Sequence, residues 1–439
     1  MSTARLFDLR LAGLGVCLTL ACGPAPDSTA DGAAEAEPSL SPEAIAALVE
    51  RFQTELDAAW AQAQETDENF PGATAAFILP DGRVFGFATG ESDVDDDIPM
   101  TPELRMGSGS IGKTYVAAVA LQLAMNGDLD LDAPVSTWLG DEEWFSRVPN
   151  HADLTVRNLL NHSAGMIQPY FEDPDFAVRL GEVFRDPDAY MTPEEFIAET
   201  VLDEEPLFPA GRGYHYSDVH YTLVGLVVEE ATGRAYYDLL DEFFLDPLDL
   251  DLTLAADRRD LPGLAQGYAH ASSRLYGTPL EVVVDGEFIL HPLQEWTGGG
   301  LVNNPQAMVR WAKLLYEGEA IEGDDLPELL EVGFPTDSTK PHLGYGLAVS
   351  IAESEHGLTY GHGGFWPGYN SLVAYYPDHG VAVSIQINSD ESQMRRHLPK
   401  LAKVAAWFWK RWGPPDVSCP GGSRRRLAGH QACAYRELS

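Results

Sequence analysis

The sequence predicts an α+β fold in which both ends of one domain contribute to a single sheet around a helical middle. Three observations predict it. Residues 42–64 and 391–412 carry apolar side chains at helical spacings of three and four. Residues 72–90 and 344–388 alternate in the manner of strands, and the long stretch between them is mostly helical pattern broken by loops. The 439-residue chain, 45% apolar and 10% aromatic, is long enough to bury a substantial core.

The first residues, MSTARLFDLRLAGLGVCLTLACG, set Arg5 and Arg10 ahead of an apolar run from Leu11 to Ala21 that is too short to span a bilayer. Residues 1–22 therefore read as an export signal. The run ends at Ala21-Cys22, similar to a bacterial lipoprotein processing site, although Thr19 stands where such sites usually have Leu. Lipid anchoring to a membrane through Cys22 and ordinary cleavage nearby both stay open, so the expected location is periplasmic, membrane-anchored or secreted. Residues 23–40 are small, acidic and rich in Pro, and read as a disordered tether.

Ser41 as N-cap and Pro42 at the first helical position open the next helix. GATAAFILPDGRVFGFATG, residues 72–90, is a hairpin turning at Pro80-Asp81-Gly82. Residues 111–125, IGKTYVAAVALQLAM, are apolar nearly all round and predict a helix inside the domain. LTVRNLLNHSAGM, TPEEFIAETVL and DVHYTLVGLVVEEATG supply the helical middle, with Thr192-Pro193 as a start signal and Thr232-Gly233 as a stop. Three strand patterns follow at 344–353, 358–377 and 380–388, then the last helix. In the tail, 416–439, Cys419 and Cys433 are expected to form a local disulfide staple, two free thiols being the alternative. Four cysteines so placed make no metal cluster.

Charge narrows the partners. Against 28 Lys and Arg stand 68 Asp and Glu, a formal net charge of -40 at pH 7. Such a surface repels phosphate backbones, so no nucleic-acid partner is expected, and it suits salty surroundings that screen self-repulsion.

The segment GSGSIGKT, residues 107–114, fits two catalytic patterns. As Gly-x-x-x-x-Gly-Lys-Thr it is a phosphate-binding loop; as Ser110-x-x-Lys113 it is the nucleophile and base of an acylating serine enzyme. A phosphate loop needs a buried strand running into its glycines, whereas DDDIPMTPELRM precedes this one. The Gly-x-Ser-x-Gly elbow of α/β-hydrolases is absent at both Ser108 and Ser110. Positions three apart on a helix share a face, so Lys113 can reach Ser110, and a neutral amine there can take the hydroxyl proton.

Ser and Lys at this spacing arise by chance about once in such a chain, so other residues must carry the case. Tyr216-Ser217-Asp218 stands just before an apolar helix, and His362-Gly363-Gly364-Phe365 lies in a strand pattern. Singly each has an ordinary reading: Tyr216 a core aromatic, Asp218 the N-cap of its helix, His362 a buried histidine, Gly363 and Gly364 a bulge. In this order and at these intervals they resemble the serine β-lactamase and penicillin-binding-protein superfamily, in its class C β-lactamase and D-alanyl-D-alanine carboxypeptidase branch. There the elements are Ser-x-x-Lys, Tyr-x-Asn and Lys-Thr-Gly or His-x-Gly. LLNHSAGM and GGGLVNNPQAMVRWAKLL also look like segments of that family, and the resemblance runs from about Ser41 to Trp412.

The resemblance implies an antiparallel sheet flanked by helices with a mostly helical insert, about residues 115–290 of a domain spanning 41–415. It implies Ser110 as nucleophile, Lys113 and Tyr216 as phenolate or proton relay handling the proton, and an oxyanion hole from the N–H groups of Ser110 and Phe365. Gly363 and Gly364 let substrate approach the strand, and His362 shapes the far wall. No metal or cofactor is implied. Asp218 departs from the family's Asn: a carboxylate only accepts, so a donor to the substrate carbonyl is lost, and Lys113 is held protonated more firmly, shifting the base role toward Tyr216. His362 in place of lysine grips a carboxylate less strongly. Efficient β-lactamase action is therefore not expected. An exported hydrolase of esters or amides is, with a catalytically idle envelope binding protein as the alternative and a nucleotide binder third.

Overall fold

Antiparallel pairing brings the two ends of the domain together in a nine-stranded sheet among the described residues, which in this computed structural model are 41–65, 70–269, 280–321, 325–335, 339–390 and 400–405. The export segment with Cys22, the tether, the Cys419–Cys433 tail and the last helix apart from residues 400–405 lie outside them. The strand order is Ile98–Pro99, Val84–Asp93, Gly72–Ile78, Val381–Ile387, Tyr369–Tyr376, Gly357–Trp366, Ser350–Ser354, Gly344–Tyr345 and Phe334–Pro335.

The hairpin forms where the sequence predicts it. Gly82 adopts φ 84°, and its N–H donates to Leu79 O at 2.9 Å to close the turn. The C-terminal half differs from expectation in one respect. The pattern over 358–377 divides at Pro367-Gly368, where Gly368 takes φ 81°, into two strands, and 344–353 divides at Ala348 with φ 58°. Alternation continues across a tight turn, so periodicity alone does not reveal the break.

The central strands are buried on both faces. Ala73, Ala75, Phe77, Val383 and Ile385 point to one side, where Leu48, Phe52 and Leu56 of the Pro42–Gln64 helix and Leu401 and Val404 of the C-terminal helix cover them. Ala76, Ile78 and Ala382 point to the other, under Met308, Val309 and Trp311 of the Pro305–Tyr316 helix. Beneath that helix runs Lys113–Asn126, buried on every side from Lys113 to Leu121 as its composition predicts and reaching solvent at Met125; Tyr115 stacks on Trp311 with ring centroids 3.9 Å apart. The middle of the chain supplies the helices Val156–Leu160, Pro193–Thr200 and Asp218–Thr232, the second capped reciprocally by Thr192 and Glu195.

Candidate active site

Ser110 lies in a 3-10 turn, Gly109–Gly112, that leads directly into the Lys113–Asn126 helix. The sequence puts the helical start at Ile111, and the tighter turn has a consequence: residues three apart nearly eclipse in a 3-10 turn, which aligns Ser110 with Lys113. Lys113 Nζ donates to Ser110 Oγ at 3.0 Å. It also donates to Asp218 Oδ1 and to Gly298 O, and it is fully buried. An ammonium has three N–H groups, and three acceptors surround this one. A lysine committed in this way cannot hold a nucleotide phosphate, which removes the phosphate-loop reading.

Close backbone approach fixes the turn. Gly109, at φ 51°, has so little space that an added Cβ would lie 2.6 Å from Phe365 N, and one on Gly112 would lie 2.8 Å from Gly299 Cα. A Cβ on Gly364 would run into Ser108 O. The strand Gly357–Trp366 therefore lies against the Ser110 turn with only glycine between, which sets Phe365 beside Ser110. Gly363 pairs with Leu372 and Gly364 with Ser371 in unbroken register, so the two glycines form no bulge.

Asp218 is not the N-cap of its helix. Ser217 is, accepting from Val219 N at 3.3 Å, and Asp218 is the first helical residue, buried, with its carboxylate free to turn toward Lys113. Its second oxygen accepts from Gln168 Nε2 at 2.6 Å. Tyr216 lies with its ring 5.1 Å from Lys113 Nζ. Its hydroxyl is buried without a well-formed hydrogen bond, although Ser110 is close enough to influence its ionisation. Burial first, and the Asp218 charge second, hold the phenol well above its ordinary range. The carboxylate expected to shift the base role to Tyr216 thus also disfavours the phenolate.

His362 is buried, its ring 6.2 Å from that of Tyr216. Its Nδ1–H donates to Gly363 O at 2.5 Å, and in a neutral ring Nε2 then accepts from Tyr345 Oη at 2.8 Å. All eight residues singled out in the sequence fall at or beside this one locus.

Several participants escape sequence reasoning. Gln168 steadies Asp218 from 50 residues away, and Gly298 offers only a carbonyl. Glu295, in the same turn as Gly298, is pushed up to about 8 by burial and then by the Asp218 charge, with Lys113 opposing. None of these has a motif; the GGG at 298–300 was the available signal, since consecutive glycines before a strand mark close backbone approach.

Fold and site define a protein with a serine hydrogen-bonded to a buried lysine beside one strand of an antiparallel sheet. The chain belongs to the Beta-lactamase family, whose profile matches residues 45–406. It is 24% identical over 322 residues to penicillin-binding protein 4* of Bacillus subtilis, covering 70% of this chain and 65% of that one. It is 29% identical over 220 residues to esterase EstB of Burkholderia gladioli, covering 48% of this chain and 54% of that one. The chain thus spans somewhat over half the length of these relatives. A D-stereospecific amidohydrolase from Streptomyces sp. superposes with a TM-score of 0.67 at 24% identity, covering 80% of this chain and 97% of that one, which is a likeness of fold.

Proposed function

We propose that this protein hydrolyses an ester or amide through an acyl-enzyme on Ser110. The observation that carries the reading is the 3.0 Å hydrogen bond between Lys113 Nζ and Ser110 Oγ inside a buried polar cluster. A lysine desolvated to this degree with no catalytic use would be an expense that a methionine avoids.

The bonding pattern prescribes how the proton moves. In the resting state Lys113 gives hydrogen bonds rather than accepting them, so it must first lose a proton. Of its three acceptors only the Asp218 carboxylate is a base: transfer along that bond leaves a neutral amine and a neutral carboxyl in place of two buried charges. Ser110 Oγ then attacks the carbonyl carbon while its proton passes to Lys113, directly or through the Tyr216 hydroxyl acting as a relay. The substrate oxygen gains negative charge opposite the N–H groups of Ser110 and Phe365. The Tyr216 phenol next protonates the leaving alkoxide or amine and takes the serine's proton back from the Lys113 ammonium, and water reverses the sequence to free the acid. Esters should be favoured over β-lactams, because Asp218 offers no donor and both His362 nitrogens are engaged.

The test is labelling by a fluorescent acyl-serine probe. Wild-type protein should be labelled and Ser110→Ala should not; turnover should be greatest on a short-chain nitrophenyl ester and least on nitrocefin, with a D-alanyl dipeptide as the third substrate. Absence of labelling and of turnover on all three would favour the second reading, an idle envelope binding protein, for which the fully committed Lys113 is the favouring observation. Export, with or without lipid on Cys22, forms part of the same proposal and rests on residues 1–22 alone.

A further inference from the structure

The segment LLNHSAGM, residues 159–166, has no role in the steps above, yet two of its residues take left-handed backbone, Gly165 at φ 81° without cost and His162 at φ 59° with strain. The positive φ turns the His162 ring toward the stretch 215–217. His162 O accepts from His215 N at 2.9 Å, and His162 Nδ1 accepts from Ser217 N at 3.3 Å. The residues on either side of Tyr216 are thus both bonded to one histidine. Between those two bonds the His162 ring lies over Tyr216, with centroids 4.1 Å apart.

A second histidine fixes the first. His162 Nδ1 lies 3.0 Å from His220 Nδ1, and since the former already accepts from Ser217, the His220 ring is the donor. Both rings are fully buried, and Nε2 of each has no hydrogen-bond partner among the described residues. The polar bonds of the pair are therefore spent on one another and on the Tyr216 stretch. Burial pushes His162 well down, and it brings His220 down to about 3, so neither takes up a proton near neutral pH.

We propose that His162, locked by His220, is the positioning residue that holds the Tyr216 hydroxyl at Ser110. One backbone–backbone bond, one bond from Ser217 N–H to the ring nitrogen and one ring contact fix the tyrosine from behind, which is what a hydroxyl lacking a good hydrogen bond of its own requires to stay aimed at the nucleophile. The inference rests on the acyl-enzyme reading above and specifies what sets its relay.

The test is a double-mutant cycle on the acylation rate of the full chain. Asn tolerates positive φ, so His162→Asn removes the ring while keeping the backbone turn and an acceptor. Tyr216→Phe should slow acylation by about 100- to 1,000-fold and His162→Asn by about 10- to 100-fold, mainly in kcat, and the double variant should be no slower than Tyr216→Phe. Losses that multiply would overturn the positioning role. If His162→Asn does not accumulate as folded protein, His220→Leu carries the same cycle with the same two outcomes. Failure of the wild type to be acylated at all would instead defeat the parent reading, so the two failures are separable.

Discussion

Lys113 and Asp218, 105 positions apart in sequence, meet as a buried ion pair with side-chain exposures of 0% and 11%. The pair joins the helix behind Ser110 to the helix behind Tyr216. Its position decides the proton economy of the site, because the lysine that should accept a proton is held by a carboxylate as a donor.

Replacing Asp218 by the family's Asn removes that negative charge while preserving shape and a carbonyl acceptor. The amide also restores a donor toward the substrate carbonyl, so Asp218→Asn should gain on amide and β-lactam substrates relative to the ester. Stability should fall by about 1–3 kcal/mol, because a charged hydrogen bond in a buried place is exchanged for a neutral one. Activity profiles and denaturant titration test both parts.

Tyr216→Phe separates function from stability. Its hydroxyl is buried and makes no good hydrogen bond in the resting state, so deleting it should leave the unfolding free energy unchanged within about 0.5 kcal/mol, or raise it. Acylation should slow by about 100- to 1,000-fold through loss of the relay. A stability loss matching that of an ordinary core tyrosine would mean that the hydroxyl has a structural partner and is no relay.

The parts of this site that are legible in the sequence are those carried by side-chain type. Ser110, Lys113, Tyr216 and His362 are recognisable because they stand in the order and at the intervals of the family's motifs. The strands and long helices were legible because one or both faces are apolar at a fixed period. Backbone partners were not: Gly298 contributes a carbonyl that every residue possesses, and its approach to Lys113 depends on tertiary folding. The ordinary reading of Asp218 as a cap follows from Asp being common at that place, whereas the true cap, Ser217, lies one residue earlier. Gln168 and Glu295 have no pattern at all, since what distinguishes them is proximity to Asp218.

Glu295 should give stability a distinct pH signature. Its folded-state value near 8 lies above the ordinary 4.5, so the folded protein binds this proton more tightly than the unfolded chain does. The stabilisation it provides is complete below about pH 4.5 and is lost progressively as pH rises to about 8. Glu295→Gln cannot titrate, so the difference in unfolding free energy between wild type and variant should shift against the wild type across that interval and level off beyond it. A difference independent of pH from 4 to 9 would show that Glu295 ionises as an exposed carboxyl does.

Gly364→Ala probes the contact on which the oxyanion geometry depends. The added methyl would meet Ser108 O, a backbone atom that cannot rotate away, so either the strand or the turn must move. The turn is pinned from behind, with Ser108 N donating to Leu301 O at 2.9 Å and Ser108 Oγ to the same carbonyl at 2.6 Å. The strand is held by its register with Tyr369–Tyr376. Strain of this kind costs about 1–3 kcal/mol. Because the displacement separates Phe365 N from Ser110 N, the expected catalytic loss is about 100-fold or more in kcat, comparable to losing one oxyanion donor. The loss should be similar for ester and amide substrates, since both place the same oxygen between those N–H groups. If stability falls while kcat is retained, Phe365 N is not an oxyanion donor, and the second N–H must come from elsewhere along the cleft.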